Sequence, residues 1–182
     1  IPRELTESHQ RTFLHQFNPR WLNPDGSLNA TTMLTMFREF WRENQEIWAS
    51  HIAGYQEAAP HLVTQAFLQR VANGNGSIAR EYAAGRGRTD LMLQWRYTAG
   101  GAAKKETRYQ KIVLELKVLK KKGSLEKVKD QALEQTARYA KTCGTTEAHL
   151  LIFDREGSQG WRDNPLSKSY HHQGVEIQLW GF

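Results

Sequence analysis

Asp90, Glu115 and Lys117 are the residues of this chain whose types and spacing can do chemistry. Glu115 and Lys117 stand two apart inside Ile112-Val113-Leu114-Glu115-Leu116-Lys117-Val118, a run that is otherwise apolar. Strand side chains alternate between faces, so the acid and the amine share one face. Ile112, Leu114, Leu116 and Val118 take the other. An acid and a lysine buried in such a run are costly unless they pair or bind an ion. Asp90 falls in a second strand signal, Thr89-Asp90-Leu91-Met92-Leu93, directly after the turn Gly85-Arg86-Gly87-Arg88. Two carboxylates from adjacent strands make a hard, oxygen-rich site for a divalent cation, to which a backbone carbonyl such as that of Leu116 can add. Such an ion polarises an ester oxygen and acidifies a bound water, while Lys117 holds the water or the group under attack. A plain structural reading competes: Glu115 and Lys117 as an ion pair, and Asp90 as a surface acid beside a turn. Such pairs are routine on sheet edges, but the apolar neighbours on this run argue against an edge.

Periodicity predicts the elements that must hold these groups. Asn29 to Thr32 offer N-caps for a helix reaching about Ala49. Its apolar stripe is Met33, Leu34, Phe37, Phe40, Trp41, Ile47 and Trp48, opposed by Arg38, Glu39, Arg42 and Glu46. Trp41 and Trp48 can stack on bases, although aromatic residues at helical spacing usually belong to a core. A second helix starts near Pro60 and runs to Ala72, with Leu62, Val63, Ala66, Phe67 and Val71 inward. Strands follow from Ile78 to Ala83, from Thr89 to Trp95 and from Lys111 to Leu119. Arg96 to Gln110 is polar and glycine-bearing and reads as a mobile connector beside the site. A third helix spans Leu125 to Thr142, with Gly144 as its stop. His149 to Phe153 is an apolar strand suited to the middle of a sheet. Asp154 to Lys168 is a turn-rich excursion. Val175 to Trp180 alternates as a half-exposed last strand, with Trp180 on its polar side. His171-His172 reads as a loop pair without further ligands and receives no role.

A length of 182 residues fits one domain, or one domain with a helical extension. No apolar run is long enough to span a membrane, and the N-terminus lacks a signal-peptide pattern. The single Cys143 excludes an internal disulfide and a thiolate zinc cluster, which points to a reducing, cytoplasmic setting. A start at Ile1 is that of a fragment or processed product. No Gly-x-x-x-x-Gly-Lys-Ser/Thr occurs, so ATP use is not expected within this stretch. The net charge of +6 suits a polyanionic partner. Lys104, Lys105, Arg108 and Lys111 precede the Glu115 strand, and Lys120, Lys121, Lys122, Lys127 and Lys129 follow it. They suit phosphate contact or simple solvated turns.

In this order the residues resemble the PD-(D/E)XK nucleases: an acid after a hairpin turn, an acid-x-lysine on the next strand, then a helix with a glutamine. Here these are Asp90, Glu115-Leu116-Lys117 and Gln135. Glu57-Ala58-Ala59-Pro60-His61-Leu62, Ala66 to Val71, Arg80-Glu81-Tyr82 and Gly85 to Asp90 look like one branch. Its members are often C-terminal domains of longer bacterial or archaeal ATP-binding proteins of the AAA type. The likeness extends from about Arg3 to Phe182. It implies an α/β, restriction-endonuclease-like core over residues 57–182, of order α-β-β-β-α-β with a central mixed sheet flanked by helices. Residues 1–56 would be a helical extension packed on it.

The resemblance further implies hydrolysis of nucleic-acid phosphodiesters with Mg²⁺, for which Mn²⁺ would substitute. DNA is the first expected substrate and RNA the second, and the products would carry 5′-phosphate and 3′-hydroxyl ends. It assigns Asp90, Glu115 and Glu57 to the metal. Lys117 and Gln135 complete the catalytic set, and Arg86, Arg88, Lys120, Lys121 and Lys122 contact phosphate. Glu57 has a structural alternative as a favourable charge at a helix N-terminus, and Glu81 is its rival as accessory acid. Gln135 has one as an ordinary boundary glutamine. An upstream ATPase domain and a homodimer are implied partners. A catalytically silent nucleic-acid-binding module on the same fold is the alternative to an enzyme.

Overall fold

Asn29 starts the first helix among the described residues: its side-chain oxygen accepts the Thr32 N–H at 2.9 Å, and α1 follows over Ala30–Glu43. The computed structural model describes residues 19–44, 58–84, 87–100, 105–119, 125–145, 147–154, 157 and 159–182, with the backbone alone over 81–84 and 87–89. Met33, Leu34, Phe37 and Trp41 of α1 are buried, so Trp41 is a core residue. Phe40, predicted in the same stripe, is 38% exposed. Ile47 and Trp48 lie outside the described residues.

The next helix, α2, spans Ala58–Ala72, and its buried residues are Pro60, Thr64, Leu68, Val71 and Ala72. The inner face is therefore rotated from the predicted one: Leu62 is 47% exposed, Ala66 is exposed, and Val63 and Phe67 are half-buried. Apolar residues surround this helix, so periodicity alone did not select a face. Thr64 tolerates complete burial because its hydroxyl donates to the Pro60 carbonyl at 2.6 Å.

Three antiparallel-linked strands come next: β1 over Gly76–Ala84, β2 over Gly87–Ala99 and β3 over Glu106–Leu119. The segment read as a connector is instead the outer half of a long hairpin, with Arg96 opposite Tyr109 and Ala99 opposite Glu106. Arg96, Thr98 and the start of β3 are polar and only Tyr97 and Ala99 are covered, so the alternation is short. Tyr97, Thr98, Thr107 and Tyr109 nonetheless favour extended backbone.

Helix α3 spans Leu125–Cys143 and delivers the chain to β4, Glu147–Asp154, which runs parallel to β3. The chain closes with β5, Ser167–His172, and β6, Val175–Gly181. The sheet order is β1-β2-β3-β4-β6-β5, mixed and six-stranded. The predicted α-β-β-β-α-β order is present, and β5 is an addition. His171 and His172 belong to that strand rather than to a loop. The turn after them uses Gln173 and Gly174, both at positive φ, as a two-residue hairpin requires. Insertion of β6 between β4 and β5 also explains Trp180. It was predicted half-exposed and is 1% exposed, because the sheet is covered on that side too.

Helices cover both faces. Leu91, Leu93, Ile112, Leu114 and Leu116 join Phe37, Trp41 and Leu68 in one cluster, on the side of α1 and α2. Met92, Val113, Leu119 and Ile152 join Ala132, Leu133 and Ala137 of α3 in the other. Gln110 ties the N-terminal segment to the sheet. It exchanges two hydrogen bonds of 2.9 Å with the Leu28 backbone and donates to Glu147 at 2.8 Å.

Candidate active site

Strand alternation decides which face the reactive groups occupy. Val113 and Leu119 pack with α3, so Glu115 and Lys117, at odd positions between them, share that face. Met92 also packs there, and Asp90 lies two residues before it. The register between β2 and β3 runs to Leu91 opposite Leu114. One step further, the Leu116 N–H donates to Asp90 Oδ2 at 2.8 Å. A carboxylate thus takes the bond on β3 just where the acid-x-lysine begins.

Glu115 is fully buried, and Lys117 Nζ donates to its Oε1 at 2.5 Å. The other carboxylate oxygen, Oε2, is buried without a partner among the described residues. Burial pushes the Glu115 carboxyl up to about 7; the charge of Asp90 adds to the rise, and Lys117 opposes it. The Lys117 side chain remains 28% exposed, so its ammonium bridges a dry acid and open solvent. One of its three donors is taken by Glu115, which leaves others for a water or an anionic ligand.

These donors fit a hard divalent cation in kind. Asp90 and Glu115 offer oxygens, and the unpartnered Oε2 is an acceptor that a cation would satisfy. Among the described residues no cluster of three or more His, Cys, Asp or Glu side chains occurs. Two carboxylates match the habit of Mg²⁺, which keeps several waters and takes one or two acids from the protein.

Gln135 is half-buried on α3, the helix over this face, and its amide donates to the Tyr139 hydroxyl at 2.9 Å. Tyr139 is itself buried. Its i+4 spacing from Gln135 on one helical face was the signal for this contact. Glu57, Arg86, Lys120, Lys121 and Lys122 lie outside the described residues, and Arg88 is described by backbone alone, within β2. Several of the flanking basic residues have protein partners. Lys111 Nζ donates to the Cys143 carbonyl at 3.1 Å, Arg108 pairs with Glu106 at 3.1 Å, and Lys129 pairs with Glu126. For these three the structural reading of the basic flanks accounts for the charge. No helix among the described residues is long and apolar enough to cross a membrane.

A family model described as the PD-(D/E)XK nuclease superfamily matches residues 61–153, just over half of the chain. The matched span contains Asp90, Glu115, Lys117 and Gln135. No curated protein and no solved structure matches the chain.

Proposed function

This chain belongs to the PD-(D/E)XK nuclease superfamily, whose members are nucleases that generally use divalent metals, and we propose that it is a Mg²⁺-dependent endonuclease acting on DNA. The observation that carries this reading is the buried Glu115 Oε2, without a partner among the described residues and on the same sheet face as Asp90 and Lys117. A buried carboxylate oxygen without a partner is costly, and a bound cation or a water would satisfy it.

A bound Mg²⁺ would supply Lewis-acid polarisation of the phosphate and a more acidic water. Asp90 and Glu115 would hold it, with Glu57 completing the shell. Asp90 also orients β3 through the Leu116 amide, so one carboxylate sets both a ligand and the strand that carries the next. Lys117 projects its ammonium from the Glu115 carboxylate toward solvent, where it neutralises phosphate charge or steadies the attacking water. Gln135, braced by Tyr139, borders the same face and would orient Lys117 or the water. Arg86, Arg88 and Lys120 to Lys122 would bind the flanking phosphates. Cleavage would leave 5′-phosphate and 3′-hydroxyl ends. An upstream ATPase domain and a homodimer that cuts both strands belong to the same proposal.

Plasmid nicking tests it. The wild-type chain should nick or cut with Mg²⁺ or Mn²⁺ and stop with chelator, and Lys117→Ala should be inactive though folded. Cleavage retained in both Lys117→Ala and Asp90→Ala would refute the assignment. DNA binding without cleavage under any metal would indicate the silent module instead.

A further inference from the structure

At the edge where β4 and β6 end, a cavity of about 120 Å³ opens beside α1, lined from both sides of the sheet. A single water needs only about 10–15 Å³ of such space, so a group several times larger fits. The lining sets three guanidinium groups, those of Arg38, Arg42 and Arg162, against two carboxylates, Glu39 and Asp154. Asp154 Oδ2 already accepts the Gln159 N–H at 2.5 Å. Arg38 lies 5.3 Å over the Trp180 ring and donates to the Leu166 carbonyl at 3.5 Å. Burial pushes its guanidinium below the ordinary value; Glu39 opposes the shift and Arg42 adds to it. Arg42 and Arg162 are exposed and form no ion pair among the described residues. Three cations against two acids leave the concavity net positive, which suits an anion.

The excursion after β4 builds one wall of this cavity. Trp161 rests directly on Gly181, where a Cβ would meet the indole at 2.5 Å, and Arg162 follows it onto the rim. Gly181 is opposite Ile152 on β4, and Ile152 is opposite Lys117 on β3. The cavity wall and the candidate catalytic lysine are therefore in register, two strand spacings apart, or about 10 Å. At about 3.4 Å of rise per nucleotide, that is roughly three nucleotides.

We propose that this cavity takes a phosphate group of the nucleic-acid strand, a few nucleotides from the bond held at Lys117. The strand would cross the edge where β3, β4 and β6 end together. Guanidinium groups suit the role, because their planar fork matches two phosphate oxygens at once. The inference rests on the reading of the chain as a nucleic-acid enzyme, but it is read by binding and not by cleavage.

Labelled oligonucleotide, single-stranded and duplex, is titrated in chelator against wild type, Arg42→Ala/Arg162→Ala, and a charge-matched control, Arg20→Ala/Arg70→Ala. The first double variant should bind one of the two probes about 10-fold more weakly, with a salt slope smaller by about one to two. Its melting temperature should match wild type, and the control should bind normally. Equal loss in both double variants, no loss in either, or no binding by wild type overturns the proposal. Wild type that binds yet never cleaves removes the nuclease reading and leaves the cavity standing. Wild type that cleaves, with binding unchanged in the Arg42/Arg162 variant, removes the cavity alone.

Discussion

The Asp90 carboxylate accepts the Leu116 amide at 2.8 Å, joining β2 to β3 at the residue between Glu115 and Lys117. A candidate ligand therefore also serves the backbone, and the two roles separate by substitution. Asp90→Ala leaves a part-buried N–H unsatisfied and should cost about 1–3 kcal/mol in urea unfolding. Asp90→Asn keeps an acceptor and should cost less. Both should lose cleavage, because the carboxylate charge is gone. Activity retained in Asp90→Asn would show that Asp90 only fastens the strands.

Glu115 gives a pH signature in metal-free protein. Its carboxyl is raised from an ordinary 4.5 to about 7 in the folded chain. Between those values the folded chain holds a proton that the unfolded chain has released, so stability falls as pH rises. Below 4.5 both states are protonated and the penalty is absent; above about 7 it is constant. Glu115→Gln removes it. Relative to wild type, that variant should gain stability across this window, by on the order of 3 kcal/mol in total. Parallel pH profiles in chelator would show that Glu115 ionises normally.

Lys117 is tested by charge and by shape. Lys117→Ala removes the counter-charge of the buried Glu115 and should lower cleavage by at least about 100-fold. Lys117→Arg keeps the charge but replaces a compact ammonium with a bulkier planar fork, and should restore little activity. Calorimetry with Mn²⁺ should still detect binding in Lys117→Ala, since the lysine is not a ligand. Full activity in the arginine variant would reduce Lys117 to a generic cation.

Gly181→Ala tests the packing of the C-terminal excursion. The new Cβ would sit 2.5 Å from the Trp161 ring and 2.9 Å from Leu166 Cβ. Overpacking of this kind costs about 1–3 kcal/mol, readable as a lower urea midpoint. An unchanged midpoint would mean that Trp161 moves aside freely.

Local periodicity carried much of this protein. The odd positions of β3 put Glu115 and Lys117 on one face, and Asn29 marked the start of α1, because alternation and capping depend on a few neighbouring residues. The apolar run Leu150 to Phe153 read as a central strand because a strand covered on both sides must be apolar throughout. Contacts between distant segments were not legible in this way. The bond from the Leu116 amide to Asp90 depends on where two neighbouring strands settle. So do the outer hairpin of β2 and β3, the inner face of α2, and the insertion of β6 beside β4. Residue order supplied the acids and the amine. Folding decided that Glu115 would be dry and its proton held up to about 7, since burial belongs to the packed sheet and not to any stretch of chain.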